Sequence, residues 1–423
     1  MAGTYVMMFG IANIVAGGPI YCCNKIRYME EKGWTVNVLP TDTGEIFIKP
    51  LEKYKDICFP FLLTLPFRYT RKQLNLFLDL LVQNVTVSDN IIIETGTDYT
   101  ALWGELLARK LSAKHVIIFL DEKNPRINEH NAPFYQFKYE RGELAGISTE
   151  ALKANFAQYF ELKDVEQHYI GCYAVNSVAD VEFEDTLDLK DYEYVIGSIG
   201  RLDKPYVSSI IEGICQFADY IAPSGLFVIL IGGADDAYVD AIVQQLITHE
   251  NIRYYLTGYI WPIPSQLIKK ANVYVSGAGS SLCSANLRVP TIDLDVYTGL
   301  PIGFLKSARP WTDESEDSRY EVIDAPGQTV FDYIKEVLIN GHSPTIENVT
   351  TLEDEWHDIC CYMDLHWQFI QRSSAGKEYY ETEKIWDGRI ISRISRIMMH
   401  MTGYNVYSRL QKIYHNLFYS SLK

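Results

Sequence analysis

The chain is expected to form an α/β fold of two parallel-sheet domains facing a cleft, followed by C-terminal helices. Three observations carry this expectation. Short apolar runs alternate with helical periodicity over residues 5–120, the same alternation restarts at Tyr192, and several of the apolar runs end in glycine. Strands separated by helical segments imply βαβ units and a parallel sheet. Glycine at a strand end lets the backbone turn sharply or lets a ligand approach it.

In the first half, residues 5–11 read as a strand. Residues 19–32 read as a helix, with Pro19 near its first position and Gly33 past its end. Strands are expected at 34–39, 90–94 and 115–120, and helices at 72–83 and 99–111. In the second half, strands are expected at 192–199, 226–231, 252–256, 273–276 and 291–294. Helices are expected at 207–218, 238–248, 264–270 and 281–287. The acidic stretch 181–190, poor in large apolar residues, reads as a linker. It divides the chain into Rossmann-like domains over 1–180 and 191–345, with a helical segment over 346–423 that is expected to return to the first domain.

Composition bounds the function. With 423 residues and 48% hydrophobic content, the chain can fill two cores. A net charge of −16 argues against nucleic acid as a partner, because phosphate contacts need a basic footprint. The eight cysteines include the adjacent pairs Cys22-Cys23 and Cys360-Cys361 but no CxxC. They read as reduced thiols of a cytoplasmic protein. Neither a basic leader nor an apolar run of about 18 residues is present, so no membrane span is expected. The histidines lack HxxxH spacing and no DxD follows a strand of the first half, so no metal is expected. Asp293-Leu294-Asp295 has DxD spacing but reads as a loop near the cleft.

Four glycine-bearing loops are the candidate ligand contacts. The first strand leads to Gly17-Gly18-Pro19 at the start of a helix, where backbone N–H groups suit an anion. Two glycines there also fit a tight turn. The second half opens with Gly200-Arg201-Leu202-Asp203-Lys204, two cations at the carboxyl end of a strand, which suits a diphosphate. Gly258-Tyr259 follows another strand. Gly277-Ala278-Gly279-Ser280-Ser281 joins a strand to a helix and supplies N–H and hydroxyl donors. No GxGxxG dinucleotide fingerprint occurs.

The order of these pieces resembles the large GT-B glycosyltransferase family that builds bacterial surface polysaccharides with retention of configuration. It covers most of residues 1–345. The resemblance implies a nucleotide-sugar donor whose diphosphate is held by Arg201 and Lys204, a base near Gly258 and Tyr259, and Gly17-Gly18 facing the cleft. Two glutamates eight apart are usual in that family. Here their positions fall on Val275 and Cys283, and Arg288 stands where glycine is usual. A histidine commonly follows the strand equivalent to 115–120, whereas here Asp121-Glu122 follow it.

The expected function is therefore glycosyl transfer to a glycan or lipid-linked glycan, without a metal. Asp121, Glu122 and Asp98 are the carboxylates expected at the reacting centre, with capping or solvated loops as their plainer roles. A non-catalytic partner protein of the same fold is the alternative reading, and a sugar-nucleotide epimerase a weaker one. Finally, 388–401 reads as an amphipathic helix. Ile390, Ile391, Ile394, Ile397, Met398 and Met401 lie on one side and Arg389, Arg393, Arg396 and His400 on the other. Such a helix either packs its apolar face on the body, with its arginines solvated or paired to the acids of 312–358, or makes peripheral contact with an anionic membrane.

Overall fold

A computed structural model describes residues 3–403 apart from 97–98, 122–123, 125, 173, 184–186, 310–318, 324–326, 351, 375–377 and 389, and adds positions 406 and 409. Two separate sheets organise the chain. The first contains β1 (Thr4–Met8), β2 (Thr35–Val38), β3 (Ile91–Thr95), β4 (Lys114–Phe119) and β5 (Leu144–Gly146) in the order β2-β1-β3-β4-β5, all parallel. Its strands are apolar on both faces because helices cover both faces. Those helices are α1 (Gly17–Glu31), α2 (Arg71–Gln83), α3 (Tyr99–Leu111), α4 (Ala132–Glu140) and α5 (Thr149–Phe156).

A two-residue strand, β6 (Val178–Ala179), leads into the second half. There lie β7 (Tyr194–Ile199), α6 (Val207–Ile221), β8 (Leu226–Ile231), α7 (Asp236–Ile247) and β9 (Ile252–Leu256). β10 (Ile263–Pro264) pairs with β6, and α8 (Ser265–Ile268), β11 (Val273–Gly277), α9 (Ser281–Ala285) and β12 (Thr291–Leu294) follow. β13 (Pro301–Leu305) and β14 (Tyr320–Glu321) extend the sheet antiparallel, and α10 (Val330–Leu338) packs on α6. The order is β14-β13-β12-β11-β7-β8-β9. Strand order therefore reverses at β7, with β8 on one side and β11 on the other. In open α/β sheets, such a switch point opens a crevice at the carboxyl ends of the strands.

The opening is visible in the hydrogen bonds. β7 and β11 pair only through Val273–Ile196 and Tyr274–Gly197. Beyond that, the Ser276 hydroxyl, 3.0 Å away, accepts the Ile199 N–H that a strand neighbour would otherwise satisfy. Gly197 is needed at the junction, since a Cβ there would stand 2.2 Å from the Tyr274 ring.

The chain then returns to the first domain. α11 (Leu352–Arg372) lies on α1, and α12 (Ile390–Thr402) lies on the turn Pro66–Arg68. α11 is fastened by a buried polar network. His366 sits 2.8 Å from the Gly171 carbonyl and 3.3 Å from the Tyr21 hydroxyl, and that hydroxyl donates to Glu94 at 2.8 Å. Tyr5 donates to the same carboxylate, and the buried Lys25 ammonium lies 3.7 Å from it. Burial holds His366 well below its ordinary pKa, so it is a neutral ring whose Nε2–H donates to the Gly171 carbonyl. The Trp34 and Trp367 rings meet at 5.3 Å on the flank.

α12 corrects the packing alternative read from the sequence. Ser392, Ser395 and Met399 face the body, while Ile390, Ile394, Ile397 and Met401 face outward. Ser392 accepts from Arg68 at 2.9 Å and donates to Asp387 at 2.7 Å, which fixes the small polar face inward. Arg393 and Arg396 form no ion pair with the acids of 312–358 among the described residues. They stack on Trp386 and Phe67 at 3.9 and 4.2 Å. Arg389 lies outside the described residues. No described helix is long and apolar enough to cross a membrane.

Two glycine substitutions separate packing from open space. Gly197→Ala is expected to lower stability by about 1–3 kcal/mol, the cost of overpacking against Tyr274. Gly18→Ala, whose Cβ meets nothing within 4 Å, is expected to leave stability within about 0.5 kcal/mol. Urea denaturation of both proteins measures the difference; equal stabilities would contradict the packing at the β7–β11 junction.

Candidate functional site

Between the two sheets lies a cleft of about 1690 Å³. Its second-domain wall is built at the switch point by the loops after β7 and β11. Gly200 (φ +140°) turns the first of these so that a Cβ would lie 3.4 Å from the Ser280 hydroxyl. The Arg201–Lys204 loop and the Gly277–Ser281 loop are thereby brought together. Gly232, after β8, presses from the other side; its own Cβ would stand 1.9 Å from the Gly200 carbonyl oxygen. The Tyr206 ring lies 3.2 Å from where a Cβ on Gly277 would stand.

Ala278 holds φ +56°, which is costly for a side-chain-bearing residue and aims the following N–H groups. The Ser281 hydroxyl donates to the Ala278 carbonyl at 2.6 Å and closes the turn. The first-domain wall comes from the start of α1. Neither Gly17 nor Gly18 has positive φ, so the double glycine is not there for a tight turn, contrary to the sequence-based expectation. A Cβ on Gly17 would lie 3.4 Å from that of Ala174, whereas one on Gly18 would meet open space in the cleft. The segment around Ala174–Asn176 floors the cleft and touches both glycine loops, with Val175 3.4 Å from the position of a Gly279 Cβ.

The remaining expected residues are distributed unevenly. Arg201, Lys204, Tyr259, Gly277, Gly279, Ser280, Ser281 and Asp121 line the cleft. Gly258 does not; its backbone (φ +66°) bridges to Gly232, and the next ring, Tyr259, packs on Gly233 and on Phe47 of the first domain at 5.4 Å. Arg201 already forms a two-point ion pair with Asp203, Nε to Oδ1 at 2.9 Å and Nη2 to Oδ2. That pair raises the Arg201 pKa and lowers that of Asp203 below the usual carboxylate range, despite a desolvation that opposes it. Half-buried Lys204 forms no ion pair with the described residues.

Asp121 accepts a hydrogen bond from Asn124 at 2.9 Å, which braces the loop after β4. Glu122 and Asp98 lie outside the described residues. Val275 and Cys283, the positions where glutamates were sought, are fully buried, and the Cys283 thiol faces the Asn176 carbonyl at 3.6 Å. Arg288 adopts φ +58°, the conformation glycine would supply, and its side chain holds the Ile346 carbonyl at 2.8 Å.

Sequence reading misplaced one carboxylate. Asp293 is not in a loop but inside β12, paired with Ser276 of β11. It reaches the cleft wall at 6% exposure. Tyr320 donates to its Oδ2 at 2.8 Å, while its Oδ1 is buried without a hydrogen bond of ordinary geometry. Burial pushes its pKa to about 6, against the hydrogen bonds of Tyr320 and Ser281 and the charge of Arg319. The expected strand at 291–294 already contains this residue, but its DxD spacing with Asp295 in the following turn leads to the loop reading. Among the described residues no group of three His, Cys, Asp or Glu converges in a way that could hold a metal ion.

No family model matches the chain, and no curated protein is similar to it in sequence. Solved structures are similar in fold. The Anabaena HepE protein in complex with UDP and glucose matches with a TM-score of 0.53 at 12% identity, covering 86% of this chain and 98% of that one. Weaker matches are the lipopolysaccharide outer core galactosyltransferase WaaB in its apo form and the S. aureus MnaA–UDP complex. Both have a TM-score of 0.46 and 14% identity, covering 87% and 94% of this chain and 99% and 97% of theirs. The two sheets, their crevice and the returning helices together are a GT-B fold.

The Asp293 environment has a pH signature. Its folded pKa is raised, so the folded state holds the proton more tightly than the unfolded state. Its contribution to stability is therefore greatest below about pH 4 and falls as pH rises towards about 6. Asp293→Asn removes the ionisation while leaving an acceptor for Tyr320. Its stability relative to the parent should rise by roughly 2–3 kcal/mol between about pH 4 and pH 7.5, as read by urea denaturation at each pH. A pH-independent difference would contradict the buried, ionisable state.

Proposed function

We propose that this protein is a glycosyltransferase that binds a nucleotide-sugar in the cleft and passes the sugar to a glycan or lipid-linked glycan acceptor. One observation carries the reading. The Arg201–Lys204 loop and the Gly277–Ser281 loop meet at the switch point of the second sheet, opposite the glycine-opened start of α1. Cations, N–H groups and hydroxyls on one side of a deep cleft suit a diphosphate, and bare backbone on the other leaves room for the sugar.

The chemistry follows from charge. As the bond between the anomeric carbon and the diphosphate oxygen breaks, the sugar becomes cationic and the leaving diphosphate gains negative charge. In this reading Lys204, Arg201 and the N–H groups of Gly279 and Ser280 stabilise that leaving group, the Ser281 N–H being bonded to the Ala278 carbonyl. The acceptor hydroxyl attacks the anomeric carbon and gives up its proton. Asp121, on the first-domain wall, is the described carboxylate assigned to receive it; Asp98 and Glu122 remain the other candidates. A non-catalytic partner of the same fold is the second reading, favoured by the buried Val275 and Cys283 at the expected glutamate positions. Epimerisation of a sugar nucleotide would use the same donor site without an acceptor.

Arg201 must exchange Asp203 for phosphate when a donor binds, which sets two opposite effects. Arg201→Ala is expected to weaken nucleoside diphosphate binding by about tenfold, a charge-assisted contact of about 1.4 kcal/mol reduced by the lost competition from Asp203. Asp203→Asn is expected to tighten it by several-fold, since it frees the guanidinium and removes a like charge. Lys163→Ala, on the exposed surface, is the neutral control. Calorimetric titration with UDP, GDP and ADP reads all three. Binding of none of them would favour the partner-protein reading, and weaker binding in Asp203→Asn would remove the Arg201 fork from the site.

Turnover separates the acceptor side from the donor side. Asp121→Asn is expected to leave nucleotide affinity unchanged and to lower transfer by about a hundredfold or more, the usual weight of a general base. Release of UDP from a donor–acceptor mixture measures it; undiminished transfer would return Asp121 to its loop-bracing role.

A further inference from the structure

The proposed reaction leaves one surface unused, the outward face of α12. Ile390, Ile394, Ile397 and Met401 are spaced at i, i+4, i+7 and i+11 and so form one stripe along the helix. They are 74, 45, 59 and 80% exposed. The opposite side, Ser392, Ser395 and Met399, is the buried one. A helix that turns small polar residues to its own domain and its largest aliphatic residues outward is built for an apolar neighbour.

Charge identifies that neighbour. Arg393 and His400 lie exposed along one border of the stripe. The flat stacking of Arg393 on Trp386 and of Arg396 on Phe67 holds both guanidinium groups beside it, unneutralised by acids of the described body. The chain from 388 to 423 contains six Lys/Arg and no Asp/Glu, for a net of +6. With −16 overall, residues 1–387 carry −22. Net positive charge is thus confined to the segment that carries the exposed apolar stripe, against a strongly acidic remainder. A second copy of this helix would bring cation against cation, whereas an anionic lipid surface supplies the missing counter-charge and an apolar layer together. The segment after Thr402 continues the pattern with Tyr404, Tyr407, Leu410, Tyr414, Leu417, Phe418 and Tyr419 among Arg409, Lys412 and Lys423. Amphipathic aromatic rings and cations favour the headgroup zone.

We propose that α12 docks the protein on an anionic membrane surface. The Ile390–Ile394–Ile397–Met401 stripe enters the interface, and Arg393 and Arg396 meet the headgroups. The acidic remainder of the molecule is repelled from the same surface, so docking fixes one orientation. The inference does not depend on the proposed reaction.

Co-sedimentation of the full-length protein with vesicles tests it, comparing phosphatidylcholine alone with phosphatidylcholine mixed with phosphatidylglycerol. The protein is expected to pellet with the anionic vesicles at low salt, to leave them at high salt, and to ignore the neutral ones. Ile394→Ser with Ile397→Ser should weaken binding by about tenfold or more, through lost insertion. Arg393→Gln with Arg396→Gln should weaken it by roughly 25-fold, about fivefold per cation, and flatten the salt dependence. Both isoleucines are exposed, so an unchanged melting temperature shows that the variant is folded. Vesicle binding unaffected by the serine pair would overturn the proposal, as would equal affinity for neutral and anionic vesicles. Failure to pellet with either, together with a dimer in sedimentation velocity that the serine pair dissolves, would assign the stripe to a second copy instead.

Discussion

The close approach of backbone to backbone at Gly200 and Gly232 is the constraint on which the cleft depends. β7 and β8 pair through six consecutive residues, so the chain leaving β7 has no freedom to drift until Gly200. There the carbonyl of Gly200 lies where a side chain on Gly232 would have to be. A Cβ on Gly232 would push the Gly200 turn away from Ser280 and separate the two loops that form the second-domain wall. Both residues hold φ between +140 and +150°, a region open to glycine and closed to nearly all others. The site geometry is thus set by two missing side chains before any charged residue contributes.

Given that wall, the rest of the molecule positions the facing one. The first domain presents the start of α1, and α11 clamps α1 from outside through His366, Tyr21 and Glu94. The Lys25 ammonium is buried beside this carboxylate with no hydrogen bond of ordinary geometry. Burying such a group is costly without a counter-charge, so the Glu94 carboxylate and the Tyr5 and Tyr28 rings around it offset much of that cost. From α11, His366 adds a contact to the Tyr21 hydroxyl of α1 and one to the Gly171 carbonyl, and α1 is the element whose N-terminus opens on the cleft.

Much of this was legible in the sequence, for physical reasons. Buried parallel strands read as short apolar runs, and the glycine loops at their ends are the places where geometry, not burial, chooses the residue. The strands at 226–231, 252–256 and 291–294 fall where the pattern placed them. α11 was foreseen only as part of a helical segment over 346–423, without bounds or a buried face, because its buried Met363, His366, Phe369 and Ile370 stand among polar residues and its core position depends on partners far away in the chain. Asp293 lies inside the strand expected at 291–294 but reads as a loop acid because its DxD spacing ties it to Asp295, which does lie in the turn beyond. The stripe of α12 was visible as a period, but periodicity says that a helix has two faces and not which one meets the protein. Two hydroxyls, Ser392 and Ser395, decide that, through Arg68 and the buried space beside the first sheet. Arg288 shows the converse case: a departure in residue type without a departure in conformation, since its backbone keeps the positive φ that glycine would have supplied.

A crystal structure of the protein soaked with UDP would test the central claim most directly, because that claim is a place as much as a function. The account predicts both phosphates at the junction of the two loops, with the N–H groups of Gly279 and Ser280 and the Lys204 ammonium within hydrogen-bonding distance. It also predicts that Arg201 turns from Asp203 towards the ligand. A nucleotide bound elsewhere in the cleft, or bound there with the Arg201–Asp203 pair intact and the Gly277–Ser281 loop untouched, would contradict it.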